Sequence, residues 1–227
     1  MHPGIYFALS GNLAQEERLK IVTNNLANAD TPGYKKDVSS FHQYFLSVLG
    51  KRYTDFSPGL LKPTENPLDL AIEGNGFFTI STPMGIRYTR RGDFSLNSKQ
   101  ILVTKDNYPV LGKKGPIVIK GSKVSIDTNG NVWVDGRLVD TLKIVAFPKG
   151  TKLRKEGGGI FAAKAKSAGR PPSIIVHQGF LESANVNVIE NMVNMIEIIR
   201  TYEACQKVIQ SLDETDNKAI NEIGRVS

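Results

Sequence analysis

Cysteine, histidine and long apolar runs are scarce in this chain, and each scarcity closes off a class of function. The single cysteine among 227 residues, Cys205, permits no disulfide within the chain. Its place in an apolar stripe marks it as a small buried hydrophobe rather than a nucleophile. His2, His42 and His177 are the only histidines, and they lack the i, i+4 pairing or cysteine company that a zinc site uses. There is neither a Gly-x-Ser-x-Gly elbow nor a glycine loop closing on Gly-Lys-Ser/Thr. No apolar run reaches the length of a membrane-spanning helix, so membrane insertion is not expected. The opening Met1-His2-Pro3-Gly4 offers no basic n-region or small-residue cleavage site, so no cleaved signal peptide is expected. By these rules the chain reads as cytoplasmic, non-enzymatic, and without metal or cofactor.

Three local patterns invite a chemical reading and fail on context. Gly74-Asn75-Gly76 follows a strand pattern, but a β run follows where a dinucleotide site needs a helix. Asp127-Thr128-Asn129-Gly130-Asn131 is rich in oxygen ligands, yet its glycine is misplaced for a calcium loop and no glutamate closes it. A hairpin turn explains it better. Asp213, Glu214 and Asp216 read as a solvated helix face.

What the chain does have is a helix pattern at each end. From Leu181 onward, Ile189, Met192, Ile196, Ile199, Tyr202, Cys205, Ile209, Leu212, Asp216, Ala219 and Ile223 recur at steps of three and four. At the other end Ile5, Ala8, Leu9, Leu19, Val22, Leu26 and Ala29 form a weaker stripe, interrupted by Asn12 and Glu16. A narrow apolar seam is marginal alone in water, so each helix is expected to need a partner.

Between them the pattern is β. Phe77–Ile80, 101–103, 117–119, 124–126, 132–134 and 142–147 are short β-favouring runs broken by turn residues. Asn129-Gly130 and Asp135-Gly136 predict tight hairpins. Phe41 to Leu49 reads as a further short helix. The stretch 149–173, with Gly157 to Gly159 and Pro171-Pro172, reads as an extended connection. Thr31-Pro32-Gly33 must turn the chain, with Gly33 expected at positive φ and Lys35 expected to be exposed. The fold class is therefore α+β: N- and C-terminal helices forming a coiled-coil-like stalk, with a central irregular antiparallel β domain. The expected domains are 1–35 (helix and hinge), 36–180 (β-rich) and 181–227 (C-terminal helix).

Charge separates along the same boundaries. Residues 1–34 carry 2 basic and 3 acidic side chains, 35–180 carry 23 and 11, and 181–227 carry 4 and 8. The net +7 thus belongs wholly to the middle. Arg87, Arg90, Arg91, Lys113, Lys114, Lys143, Lys152, Arg154 and Lys155 are scattered without an aromatic-basic module, so a solvated surface is favoured over nucleic-acid binding. A glycan- or polyanion-binding module and a cell-wall hydrolase are the rival classes.

Four ordered segments carry a resemblance that covers nearly the whole chain. They are Asn24-Asn25-Leu26-Ala27-Asn28-Ala29-Asp30-Thr31-Pro32-Gly33-Tyr34-Lys35, Asn66 through Phe78, Tyr88 through Phe94, and Leu181 through Asn187 with Met192 to Ile196. Together they resemble the signatures of the rod and hook axial proteins of the bacterial flagellum. The matching positions include Asn25, Asn28, Thr31, Asp69, Gly74, Gly76, Arg90, Gly92, Asn185 and Asn187. Lys36-Asp37, Ser40-Phe41 and the ending 213–225 are most similar to the proximal rod subunit, while Val186 to Glu190 also suits the distal one.

The resemblance implies a structural subunit of the basal-body rod, polymerising into a helical drive shaft that transmits torque across the periplasm. It implies passage through the flagellar type III export apparatus, which replaces the cytoplasmic reading with a periplasm-spanning rod. The implied partners are copies of the chain and other rod and hook subunits, with peptidoglycan as a further candidate. On this reading Leu19, Val22, Leu26, Ile189, Met192, Ile196, Ile199, Ile209 and Leu212 form the assembly seam, and Pro32 with Gly33 forms the hinge.

Overall fold

The computed structural model describes residues 3–39, 52–148, 150–163 and 174–223. The helix expected over 41–49 lies outside them. In chain order the elements are α1 (Pro3–Ala27), β1 (Asp37–Ser39), β2 (Arg52–Thr54), β3 (Leu61–Pro63), β4 (Leu70–Glu73) and β5 (Phe77–Thr82). Then come β6 (Gly85–Thr89), β7 (Ser95–Leu96), β8 (Leu102–Val103), β9 (Val124–Ile126), β10 (Asn131–Val134) and β11 (Arg137–Thr141). The last are β12 (Ile144–Val145), β13 (Leu153–Lys155), β14 (Ile160–Ala163), β15 (Ile175–Gln178), β16 (Phe180–Glu182) and α2 (Val188–Ile223). The class is α+β.

Two compact units form. The helical unit holds residues 1–28, 36–55 and 186–227, and the β unit holds 29–35 and 56–185. The Pro-Gly turn therefore belongs to the β unit, while β1 and β2 pair within the helical one.

In the helical unit α1 and α2 pack against each other. Glycines permit the approach: a Cβ on Gly4 would stand 3.2 Å from Leu212 Cδ1, and one on Gly11 would stand 3.6 Å from Cys205 Sγ. Residue 4 beside 212 and 11 beside 205 make the pair antiparallel. Asn25 closes the end of α1 onto β1 by donating to the Asp37 carbonyl at 2.8 Å and accepting from the Asp37 N–H at 2.9 Å. Asn28 donates to the Asn24 carbonyl. At the start of α2, the Asn187 side chain accepts from the Glu190 N–H, satisfying one of the donors every helix leaves unpaired.

All strand pairs of the β unit are antiparallel. The main sheet has the order β12-β5-β6-β14-β13, a second has β11-β10-β9, and β15-β4, β16-β3 and β7-β8 are two-stranded. Leu70, Ile72, Phe78, Ile80, Leu102, Val110, Ile117, Val132 and Val176 lie in one continuous core. A smaller cluster joins Phe77, Val145 and Phe161 to Phe56 and Phe147 in edge-to-face contacts. Asp135 and Gly136 both have positive φ and link β10 to β11 in the predicted two-residue hairpin.

Two expectations are corrected here. The stretch from 153 to 163 is a hairpin in the main sheet, not an extended connection. Gly157, Gly158 and Gly159 all adopt positive φ to turn it. Residues 117–119 form no strand; Val118 makes only an isolated bridge to Ile101, although Ile117 and Ile119 are buried.

Gly92 shows how tightly the β unit closes. An added Cβ would lie 1.6 Å from the Leu70 carbonyl oxygen, while the Leu70 N–H donates to the Gly92 carbonyl at 3.0 Å. Gly92→Ala must push these backbones apart and should cost about 3 kcal/mol. Leu138→Ala, at a half-exposed side chain, should stay within about 1 kcal/mol of the wild type. Urea unfolding of both variants checks the contrast.

Candidate functional site

The family-like segments meet in one buried ionic cluster inside the β unit. Glu182, on β16, has a side chain only 1% exposed. Its Oε1 accepts from Lys35 Nζ at 2.6 Å and from the Gly59 N–H at 2.8 Å, and its Oε2 accepts from Arg90 Nε at 2.8 Å. Both cations also bond backbone carbonyls. Lys35 Nζ donates to the Ser57 carbonyl at 2.7 Å. Arg90 donates to the carbonyls of Ile72, Gly74 and Gly76 at 2.9, 2.8 and 2.6 Å.

The turns around the cluster are shaped to let backbones approach it. Gly33 has φ +64°, as expected, and a Cβ there would stand 2.5 Å from the Arg90 backbone. Its N–H donates to the Glu182 carbonyl at 2.7 Å. Gly76 has no room for a side chain either, since a Cβ would meet Ile174 Cδ1 at 2.4 Å. Asp69 accepts from Asn66 at 3.0 Å, and its carbonyl accepts from Gly179. Thr31 accepts the Tyr34 N–H, and Asn185 donates to Ser57 at 3.1 Å.

Lys35 and Arg90 are thus corrected: neither is an exposed surface charge, with exposures of 1% and 4%. Glu182 was missed altogether. The sequence pattern puts 181–227 in the C-terminal helix, whereas Glu182 ends β16 and α2 begins at Val188.

A cleft of about 180 Å³ adjoins the cluster, walled by Phe56, Phe77, Phe147 and Leu153. Lys35 and Arg90 line it while bonded to Glu182 and to backbone carbonyls. Asp127 accepts the Asn129 and Asn131 N–H groups, the pattern of a turn, as expected. Among the described residues no group of three or more His, Cys, Asp or Glu could hold a metal, and no helix is long and apolar enough to cross a membrane.

In the helical unit the structure divides the proposed seam residues. Val22 is buried, Leu19, Leu26, Ile209 and Leu212 are half-buried, and Leu19 lines a groove with Ile198 and Tyr202. Ile189, Met192 and Ile196 are 76%, 49% and 54% exposed, and Ile199 is partly so. Ile198, only 2% exposed, is the α2 side chain most deeply buried and was not among the expected seam residues. At about 100° per residue, Ile189, Met192, Val193, Ile196 and Ile199 occupy a sector roughly 120° wide, opposite Asn191, Ile198 and Cys205. On α1, Tyr6, Leu9 and Leu13 are likewise exposed. Each helix carries apolar residues on two sides.

Burial alone raises the Glu182 carboxyl, but the charges of Arg90 and Lys35 outweigh it and hold the group below the usual glutamate range. A depressed folded value adds stability above the unfolded pKa of about 4.3, and that stability is lost as pH falls through the folded value. Glu182→Gln should cost about 3–5 kcal/mol at neutral pH by leaving two buried cations short of their anion. The gap from the wild type should narrow below a pH of about 4. Denaturant titrations at neutral and acid pH check the sign, and a gap independent of pH would assign the effect to shape rather than charge.

Three family profiles match in order. One described as flagella basal body rod protein covers residues 5–35, one as the flagellar hook protein FlgE/F/G D1 domain covers 71–134, and one as the C-terminal part of flagellar basal body rod FlgEFG protein covers 177–222. The flagellar basal-body rod protein FlgF of Rhizobium meliloti is 31% identical over 99% of both chains. The flagellar hook-basal body complex protein FlhO of Bacillus subtilis is 29% identical over 100% of both. A flagellar basal-body rod protein FlgG of Buchnera aphidicola is 28% identical over 94% of this chain and 97% of its own. With the profiles spread from one end to the other and a relative of this identity matched over its full length, the chain belongs to the flagellar basal-body rod protein family, as a structural subunit and not an enzyme.

Proposed function

We propose that the chain polymerises through its two helices into the helical, periplasm-spanning rod, as the proximal rod subunit, and that it transmits torque there. The observation that carries this reading is the second apolar side on each helix. Intramolecular pairing of α1 with α2 uses one side, so Ile189, Met192 and Ile196 on α2 and Tyr6, Leu9 and Leu13 on α1 remain in water. Exposed apolar side chains gathered on one stripe mark a contact surface. A head-to-tail contact that does not close generates a helical filament.

A coiled-coil-like layer of helices is the packing that such stripes favour. Pro32 and Gly33 are the hinge of this reading, a turn in which Gly33 takes φ +64°. Other rod and hook subunits would present comparable stripes, and the flagellar type III apparatus would deliver the chain. The proximal rather than distal assignment follows the FlgF-named relatives, which match at 28–31% against 28% for the FlgG-named ones.

The two sides of α2 give opposite expectations. Met192→Asp with Ile196→Asp should abolish motility while the purified monomer keeps its helix content, because the charges meet only a neighbouring copy. Ile209→Asp with Leu212→Asp should lower the monomer's own helicity, since an unpaired charge there is buried against α1 at a cost of several kcal/mol. Circular dichroism and swimming assays separate them. Normal rods from the first double variant would remove the outward side from the assembly contact.

A further inference from the structure

The chain passes between its two units at 28/29, 35/36, 55/56 and 185/186. The ionic cluster lies within the β unit, and some of its residues stand next in sequence to three of these crossings. Lys35 is the last residue before one of them, Ser57 lies two residues after another, and Asn185 is the last before the final one. The crossing segments are also tied to one another. Gly33 donates to the Glu182 carbonyl, Lys35 bridges the Glu182 carboxylate to the Ser57 carbonyl, Gly59 donates to the same carboxylate, and Asn185 donates to Ser57. Arg90 then joins the carboxylate to the carbonyls of Ile72, Gly74 and Gly76, at the ends of β4 and β5.

We infer that the Lys35–Glu182–Arg90 cluster is the mechanical anchor of the β unit, where tension or torsion carried by the crossing segments enters the sheets. This rests on the reading of the chain as a torque-transmitting subunit. Stability alone does not account for the arrangement, because apolar side chains of similar volume commonly stabilise as well or better than a buried ion pair. What the ions add is direction. Short charge-assisted bonds converging on one carboxylate share a load and must break together. A strand peeled from a sheet edge loses its bonds one at a time.

The test pulls on the full chain as a monomer. Lys36→Cys and Val186→Cys, in a Cys205→Ser background, place handles on the first residues outside the anchor, and an optical trap reads the opening force of the β unit. Lys35→Met should lower that force by about half, since it removes two of the charge-assisted bonds while Arg90 still faces the carboxylate. Glu182→Gln should lower it further, and Leu138→Ala should leave it unchanged. If Glu182→Gln unfolds without load, Lys35→Met decides; if that also unfolds, Arg90→Lys decides, because it keeps the cation and loses the fork that reaches the carbonyls of Ile72, Gly74 and Gly76, so the force should still drop. Wild-type opening force in the deciding variant, or an equal drop in Leu138→Ala, overturns the anchor. No second copy takes part, so this failure would leave the assembly reading standing, and failure of the outward-face variants would leave the anchor standing.

Discussion

An ionised carboxylate taken out of water has to be matched by cations and donors, and Glu182 obtains them from three separated parts of the chain. That requirement dictates much of the local backbone. Gly33 and Gly59 must lack side chains for their loops to come close enough, since a Cβ on Gly59 would stand 1.9 Å from the Ser183 carbonyl oxygen. Arg90 must abandon solvent and spend its other donors on the carbonyls of 72, 74 and 76. A lysine in place of Arg90 could not do this, because an ammonium lacks the planar fork that reaches several acceptors at once.

The two units solve the problem of stability differently. The β unit has short strands, few of them longer than five residues, and it relies on a shared core together with specific polar ties between loops. The helical unit relies on length. At 1.5 Å per residue α2 extends about 54 Å, far beyond what one antiparallel neighbour of 25 residues can cover.

The hairpin turns were legible because Asn-Gly and Asp-Gly encode positive φ in their own chemistry. The helices were legible as periodicity, but the phase within α2 was not. Between 188 and 199 apolar residues fall on both sides of the helix, so Ile189, Met192, Ile196 and Ile199 read as the seam, while Met195 and Ile198 share their side with the polar Asn191, which points a sequence reading away from the side that is buried. Only the neighbour decides which side is covered. The ionic cluster was illegible for another reason: Lys35 and Glu182 are 147 residues apart, and a charged residue in a short strand or after a Pro-Gly turn reads as surface unless its partner is known. The glycine triplet at 157–159 misled in the same manner, since glycines fit a linker or a turn until the flanking strands are seen to pair.

The apolar sides left open on α1 and α2 also govern the subunit before it is built into anything. Mass action favours association wherever such stripes are present at high concentration, whether the encounter is productive or not. On the proposed assembly, the same stripes that build the rod would also draw monomers together prematurely. A subunit kept dilute, shielded or unfolded until a growing end is within reach would avoid that side reaction.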